Sequence, residues 1–225
     1  MVERVAPFFT VVMPVHLGPY KGAAEDRVPK LHRAVESVIA QTFTDWELVI
    51  ISDGCDIAWQ ELQRYKSSPH RIRFFKVPKK RQWSPEVRNT GLNLAMGKYA
   101  IYLDADDVYG PNHLSNVAAK LRANEYPTWG AMDELVWDPD GTWNVRKVEH
   151  LLANHTGNGW HAGTPNMVHR TDAGIAWPKI EFRHPSFGYG QEDRAMIQLL
   201  RDLSEPVYLP GSEYFVCHIP GQYDV

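Results

Sequence analysis

Residues 97–109, GKYAIYLDADDVY, join a hydrophobic run directly to a cluster of acids. Tyr99 to Leu103 are β-formers with no polar alternation, the pattern of a strand buried on both faces. The run stops at Asp104, Asp106 and Asp107, and Gly110-Pro111 then turns the chain. Open α/β sheets bind their ligands at the carboxyl ends of such strands. An extended backbone would aim Asp104 and Asp106 to one side. Converging acids repel, and the usual relief is a divalent cation, Mg²⁺ or Mn²⁺, which also holds substrate phosphates. The same residues also read as a solvated acidic turn, so the remainder of the chain has to discriminate.

The flanking segments supply a rhythm. Phe8 to Val15 and Trp46 to Ser52 read as two further buried strands, and Ile72 to Val77 as another. Between them helices are expected from about Pro29, with Leu31, Val35, Val38 and Ile39 on one face, and over Ile57 to Tyr65. Ser84-Pro85-Glu86 opens a helix that Met96-Gly97 closes, and another runs from Pro111 to about Ala123. Alternation from residue 8 to 123 predicts a mostly parallel sheet with helices on both faces. Beyond it the pattern loosens. Thr128 to Trp137 and Thr142 to Val148 read as a hairpin about Asp138-Pro139-Asp140-Gly141. Thr164 to His169 reads as a strand, Gln191 to Asp202 as a helix, and Tyr208 and Phe215 mark short late strands. The expectation is one domain over 1–225, with a nucleotide-binding half (8–123) and a smaller, irregular acceptor-side half (124–225).

Composition narrows the partners. Twenty-four lysines and arginines against 27 acids leave a net charge of −3, which points away from nucleic acid. Met1 to Pro14 has no basic start and its apolar run is broken, so neither a signal peptide nor a membrane span is expected. Cys55 and Cys217, the two cysteines, have no paired spacing and fit reduced thiols in a cytoplasmic protein.

Four segments in order carry a resemblance. They are Thr10-Val11-Val12-Met13-Pro14-Val15, Ser37 to Leu48 (SVIAQTFTDWEL), Ile51-Ser52-Asp53-Gly54, and Arg88 to Tyr99 (RNTGLNLAMGKY) running into Leu103-Asp104-Ala105-Asp106-Asp107. Together they resemble a family-2 glycosyltransferase of the GT-A fold. Ser52 departs from the pattern, standing where the family usually has a first aspartate. The resemblance implies a nucleotide-diphosphate sugar donor, most often a UDP-sugar, an acceptor hydroxyl, and Mn²⁺ or Mg²⁺. It assigns Pro14, Val15, Asp53, Asp104 and Asp106 to the donor, with Asp53 reading the base and Asp106 the direct metal ligand, and the guanidinium of Arg88 is suited to pair with the donor's phosphates. Asp104 would face the ribose or a metal-bound water, and His218 would be a late ligand. Gly188 to Arg194 (GYGQEDR) is similar to the family's Glu-Asp motif, which makes Asp193 the catalytic base of an inverting transfer.

Bland readings stand beside each role. Asp53 also suits an Asx-type turn before Gly54, Asp107 a helix cap, and Glu192-Asp193 the acidic first turn of any helix. His218 also suits a structural histidine. Lys79-Lys80-Arg81 suits either pairing with phosphates or a solvated loop. Trp83, Trp160 and Trp177 suit either a sugar face or the core. Two other functions compete with this reading. Asp104 to Val108 fits the loose pattern of haloacid-dehalogenase-type phosphatases, but there the acid follows a first strand and here three strands precede it. A non-catalytic sugar-nucleotide-binding module would not need Asp193.

Overall fold

The computed structural model describes residues 6–19, 26–79, 85–137, 141–148, 163–178 and 191–217. Four strands of the first half lie where the alternation predicts: β1 (Phe9–Val15), β2 (Trp46–Asp53), β3 (Ile72–Val77) and β4 (Tyr99–Tyr102). They pair in parallel in the order β3-β2-β1-β4. Every residue of β2 and β4 is buried, as the unalternating apolar runs require. Helix α1 (Arg27–Ile39) buries Leu31, Ala34, Val35 and Val38 on one stripe. Helices α2 (Asp56–Leu62), α3 (Pro85–Asn93) and α4 (His113–Ala123) complete the alternation.

Two boundaries differ from expectation for identifiable reasons. Strand β4 ends at Tyr102, and Asp104 to Asp107 form a turn closed by the Asp107 amide on the Asp104 carbonyl at 3.1 Å. Strand periodicity therefore does not set the directions of these acids. Helix α3 stops at Asn93, four residues before Gly97. Gly97 is instead required by close approach: a Cβ there would lie 2.5 Å from the Thr10 amide nitrogen and 2.6 Å from the Phe9 carbonyl carbon.

A buried hydrogen-bond knot holds the register of the parallel strands. Glu47 is fully buried, and its carboxylate accepts from Thr10 Oγ1 (2.7 Å), the Met96 amide (2.7 Å) and the Arg73 guanidinium (2.8 and 3.1 Å). Charge-assisted bonds on both oxygens satisfy a group that would otherwise be costly to bury.

The second half adds to the sheet and builds another. Strand β9 (Met167–Arg170) enters antiparallel between β4 and β6 (Trp129–Met132), and β10 (Val207–Leu209) runs parallel to β6. The main sheet has the order β10-β6-β9-β4-β1-β2-β3. The expected hairpin is divided at Asp133. Residues before it join the main sheet, whereas β7 (Glu134–Trp137) pairs with β8 (Trp143–Arg146) in a small sheet of order β5-β11-β7-β8. Asp133 is buried at this switch and accepts from the Val148 amide at 3.0 Å and the Tyr208 hydroxyl at 2.6 Å. Strands β5 (Val108–Tyr109) and β11 (Tyr214–Val216) supply the rest of the small sheet. Helix α5 (Gln191–Leu203) buries Met196, Ile197 and Leu200 against Tyr102, Trp129 and Trp177. Thr164 to Asn166 form a single 3₁₀ turn rather than the start of a strand. Among the described residues no helix is long and apolar enough to cross a membrane.

Candidate active site

Strands β2 and β4 both lie parallel to β1, on its two sides, so Asp53 and the Asp104–Asp107 turn emerge at one carboxyl edge. Pro14 and Val15, at the end of β1, stand in register with Ile51 and Ser52. Ser52, in place of the family's first aspartate, is buried and donates to the Cys55 carbonyl at 3.0 Å. The Asp53 carboxylate is buried and paired with Lys79, while its carbonyl accepts from His16 Nδ1 at 3.0 Å. Burial lowers the His16 pKa, with Lys79 adding to the effect. Gly54 follows at φ 63°, and a Cβ would fall 2.5 Å from the Lys79 backbone nitrogen. The loop after β1 is tied down by Arg27, which donates to the carbonyls of His16, Leu17 and Gly18 at 2.7–3.0 Å.

Asp104, Asp106 and Asp107 have different environments. Asp104 and Asp106 are half-buried. Asp107 is buried and does not cap α4, whose first turn follows Asn112. Its two oxygens accept from the Tyr214 hydroxyl at 2.8 Å and the Cys217 amide at 2.7 Å. Burial, then Asp106 and Asp104, pushes the Asp107 pKa well up. Asp107 is thus committed to the protein. Asp104 and Asp106, half-buried in the same turn, carry hard carboxylate oxygens, the donor type that Mg²⁺ and Mn²⁺ take. Among the described residues no third histidine, cysteine, aspartate or glutamate completes a cage. His218, Lys80, Arg81, Trp83 and Trp160 lie outside the described residues.

Arg88 connects this edge to the second half of the chain. Gly91, one turn on, lets α3 approach β1 so closely that a Cβ would sit 2.5 Å from Val12 Cγ1. Arg88 is consequently buried. It donates to Asp104 Oδ1 at 3.3 Å and Thr164 Oγ1 at 3.1 Å, and lies 3.9 Å from Glu192 Oε1. Burial opposes its charge, but Asp104, Asp193 and Glu192 outweigh burial and keep it protonated. Its guanidinium covers the Trp177 ring at 4.8 Å. Trp177 is buried and donates from Nε1 to Tyr102 Oη at 3.0 Å, while its backbone amide donates to Asn89 Oδ1 at 2.7 Å and its carbonyl accepts from Asn89 Nδ2 at 2.8 Å. Trp177 belongs to the core beneath Arg88, and at 1% exposure it offers no face to a sugar.

Asp193 arrives from α5. It is half-buried and accepts from Thr164 Oγ1 at 3.1 Å. A helix N-terminus favours an ionised acid, yet burial dominates here. Burial, opposed by Arg88 and reinforced by Glu192 and Asp104, pushes the Asp193 pKa up to about 7. That value is matched to proton transfer near neutrality. Burial likewise raises the Glu192 pKa, with Arg88 opposing. Sequence reasoning gave no role of their own to Thr164, Glu192 and Tyr214. Only for Glu192 was a signal present, its place beside Asp193 in the acidic pair.

Comparison with known proteins supplies the family and the fold. The model of the family described as glycosyl transferase family 2 matches residues 10–176. The chain belongs to that family. The colanic acid biosynthesis glycosyl transferase WcaA of Escherichia coli K12, described as putative, is 34% identical over 108 residues, covering 44% of this chain and 38% of WcaA. Staphylococcus aureus TarS 1–349 superposes with a TM-score of 0.67 at 17% identity, covering 92% of this chain and 60% of TarS 1–349. The Pyrobaculum calidifontis mannosyltransferase PcManGT, in complex with GDP-Man and Mn²⁺, gives 0.64 at 15%, covering 97% and 59%. The GT-A fold is therefore the fold of this chain. The chain spans well under half the length of WcaA and about three-fifths of these two structures.

Proposed function

We propose that the chain is a metal-dependent, inverting glycosyltransferase domain that moves a sugar from a nucleotide diphosphate to an acceptor hydroxyl. The observation that carries this reading is the meeting of Asp53, Asp104 and Asp106 at one sheet edge with Asp193, delivered by a helix of the other half. TarS 1–349 has been crystallised with UDP-GlcNAc and PcManGT with GDP-Man and Mn²⁺. A nucleotide sugar is therefore the donor class to expect, with UDP-sugars first.

In this reading Pro14, Val15 and Asp53 hold the nucleoside, and Asp104 and Asp106 hold Mn²⁺ or Mg²⁺. The cation supplies charge neutralisation for the departing diphosphate. Arg88, held against Asp104, adds positive charge on the same side. Asp193, joined to Arg88 through Thr164, would take the acceptor's proton as the acceptor oxygen attacks the anomeric carbon from the face away from the diphosphate, so configuration inverts. The test is stabilisation by UDP-GlcNAc, UDP-glucose, UDP-galactose and GDP-mannose, each with Mn²⁺ and with chelator. At least one should raise the melting temperature only with metal, since a ligand bound to the folded state alone stabilises it. The product's anomeric configuration then checks inversion. Slow donor hydrolysis by the wild-type domain would separate an enzyme from a binding module.

A further inference from the structure

Thr164 stands between the two charged groups of the site that matter most to proton transfer. Its hydroxyl oxygen lies 3.1 Å from an Arg88 Nη and 3.1 Å from Asp193 Oδ1, and the residue is 2% exposed. Arginine has donors only, so Oγ1 accepts from Arg88, and an ionised Asp193 has acceptors only, so in that state the single hydroxyl hydrogen goes to Oδ1.

The turn that carries Thr164 is itself locked. The Gly163 amide donates to Asn166 Oδ1 at 2.7 Å, the Asn166 amide to the Gly163 carbonyl at 3.0 Å, and Asn166 Nδ2 to the Met132 carbonyl at 3.0 Å. Topology brings this turn to the site. Strand β9 is antiparallel to β4, with Val168 opposite Ile101, so the residues preceding β9 lie at the carboxyl edge of β4. Gly163 lies beside the other oxygen, at no more than ordinary contact distance. A Cβ built there falls 3.9 Å from Asp193 Oδ2.

We propose that Thr164 is the positioning residue of the base, holding Asp193 by Oδ1 and leaving Oδ2 to take the acceptor's proton. The proposal rests on Asp193 being the base. In the step it serves, the acceptor O–H proton passes to Oδ2 and the acceptor oxygen bonds to the anomeric carbon. The anomeric C–O bond to the diphosphate breaks, and its electron pair leaves with the nucleoside diphosphate. A held Oδ1 means that one oxygen of two is presented in one orientation, which is how supporting contacts raise a turnover rate.

The test compares Thr164→Val, which keeps the shape and loses the hydroxyl, with Thr164→Ser, which keeps the hydroxyl. The first readout needs no substrate: the side-chain carboxyl of Asp193 is titrated by NMR. Arg88, Glu192 and Asp104 face Asp193 in all three proteins, so a difference reports the hydroxyl. A hydrogen bond to a charged group is worth about 1.5–3 kcal/mol, so T164V should titrate about one to two units higher. T164S should stay near the wild type.

The second readout is nucleoside diphosphate release from the nucleotide sugar of the panel above that the wild type turns over. There T164V should lower kcat at least tenfold at neutral pH with donor KM unchanged, and T164S should restore it. Unchanged titration and kcat in T164V, with turnover lost in D193N, would overturn the proposal alone. Full turnover in D193N would overturn the assignment of the base and the proposal with it.

Discussion

Tyr214 donates its phenolic proton to Asp107 Oδ2 across 2.8 Å, and the same phenolic oxygen accepts the Asp104 amide at 3.1 Å. One hydroxyl thus ties both ends of the acidic turn to a strand more than a hundred residues later. Burial, then Asp107 and Asp104, raises the tyrosine's pKa well above its ordinary value, so it stays a donor. Tyr214→Phe leaves Asp107 buried with one oxygen unsatisfied. The expected cost is about 1–3 kcal/mol of stability, measured by urea denaturation. Donor affinity should weaken as well, because the turn that presents Asp104 and Asp106 loses its brace.

Asp106→Ala should abolish the metal-dependent part of donor binding. Phosphate and carboxylate repel without a cation between them, so stabilisation by nucleotide sugar should disappear along with its sensitivity to chelator. A variant that still binds donor with full dependence on Mn²⁺ would remove Asp106 from the site.

Asp193→Asn should lower turnover by about two to four orders of magnitude while donor affinity holds. The pH profile carries the sign. The base works ionised and burial has pushed its pKa up to about 7, so the wild-type rate should rise through neutrality to a plateau. A folded pKa above the unfolded value also means that protonated Asp193 favours the fold. That contribution is fully present below the ordinary carboxylate range and is lost as pH rises through about 7. Stability should therefore move in favour of the asparagine variant between about pH 4 and pH 8. Denaturation midpoints across that range measure it.

Gly97→Ala tests the packing that seats the acidic strand. Its Cβ would enter the Thr10 amide and Phe9 carbonyl carbon at 2.5 and 2.6 Å, and backbone cannot swing aside as a side chain can. Overpacking of this kind costs about 1–3 kcal/mol, to be read from the melting curve.

The order of strands and helices to residue 123 was legible because each buried strand announces itself as an unbroken apolar run. The runs at Phe9–Val15, Trp46–Asp53 and Tyr99–Tyr102 all lie where they were expected. The place of three acids at one sheet edge was legible too, since Asp53 ends one such strand and Asp104 and Asp106 come just after another. Local spacing also marked Glu192-Asp193 at a helix start. What it could not reveal is how burial overrides that helix start and lifts the Asp193 pKa. Nor could it reveal that Asp107 faces Tyr214 instead of capping α4, or that Trp177 lies beneath Arg88. The role of Gly97 was hidden for the same reason, because its constraint is the backbone of β1 and not its own helix. Above all, nothing near Thr164 in the chain distinguishes it. It reaches Asp193 and Arg88 only because β9 runs antiparallel beside β4, and that reversal sets residues far apart in sequence at one sheet edge. Periodicity is a local property that a sequence carries on its face. The partners of a buried polar group depend on long-range strand pairing, and tertiary structure alone decides those.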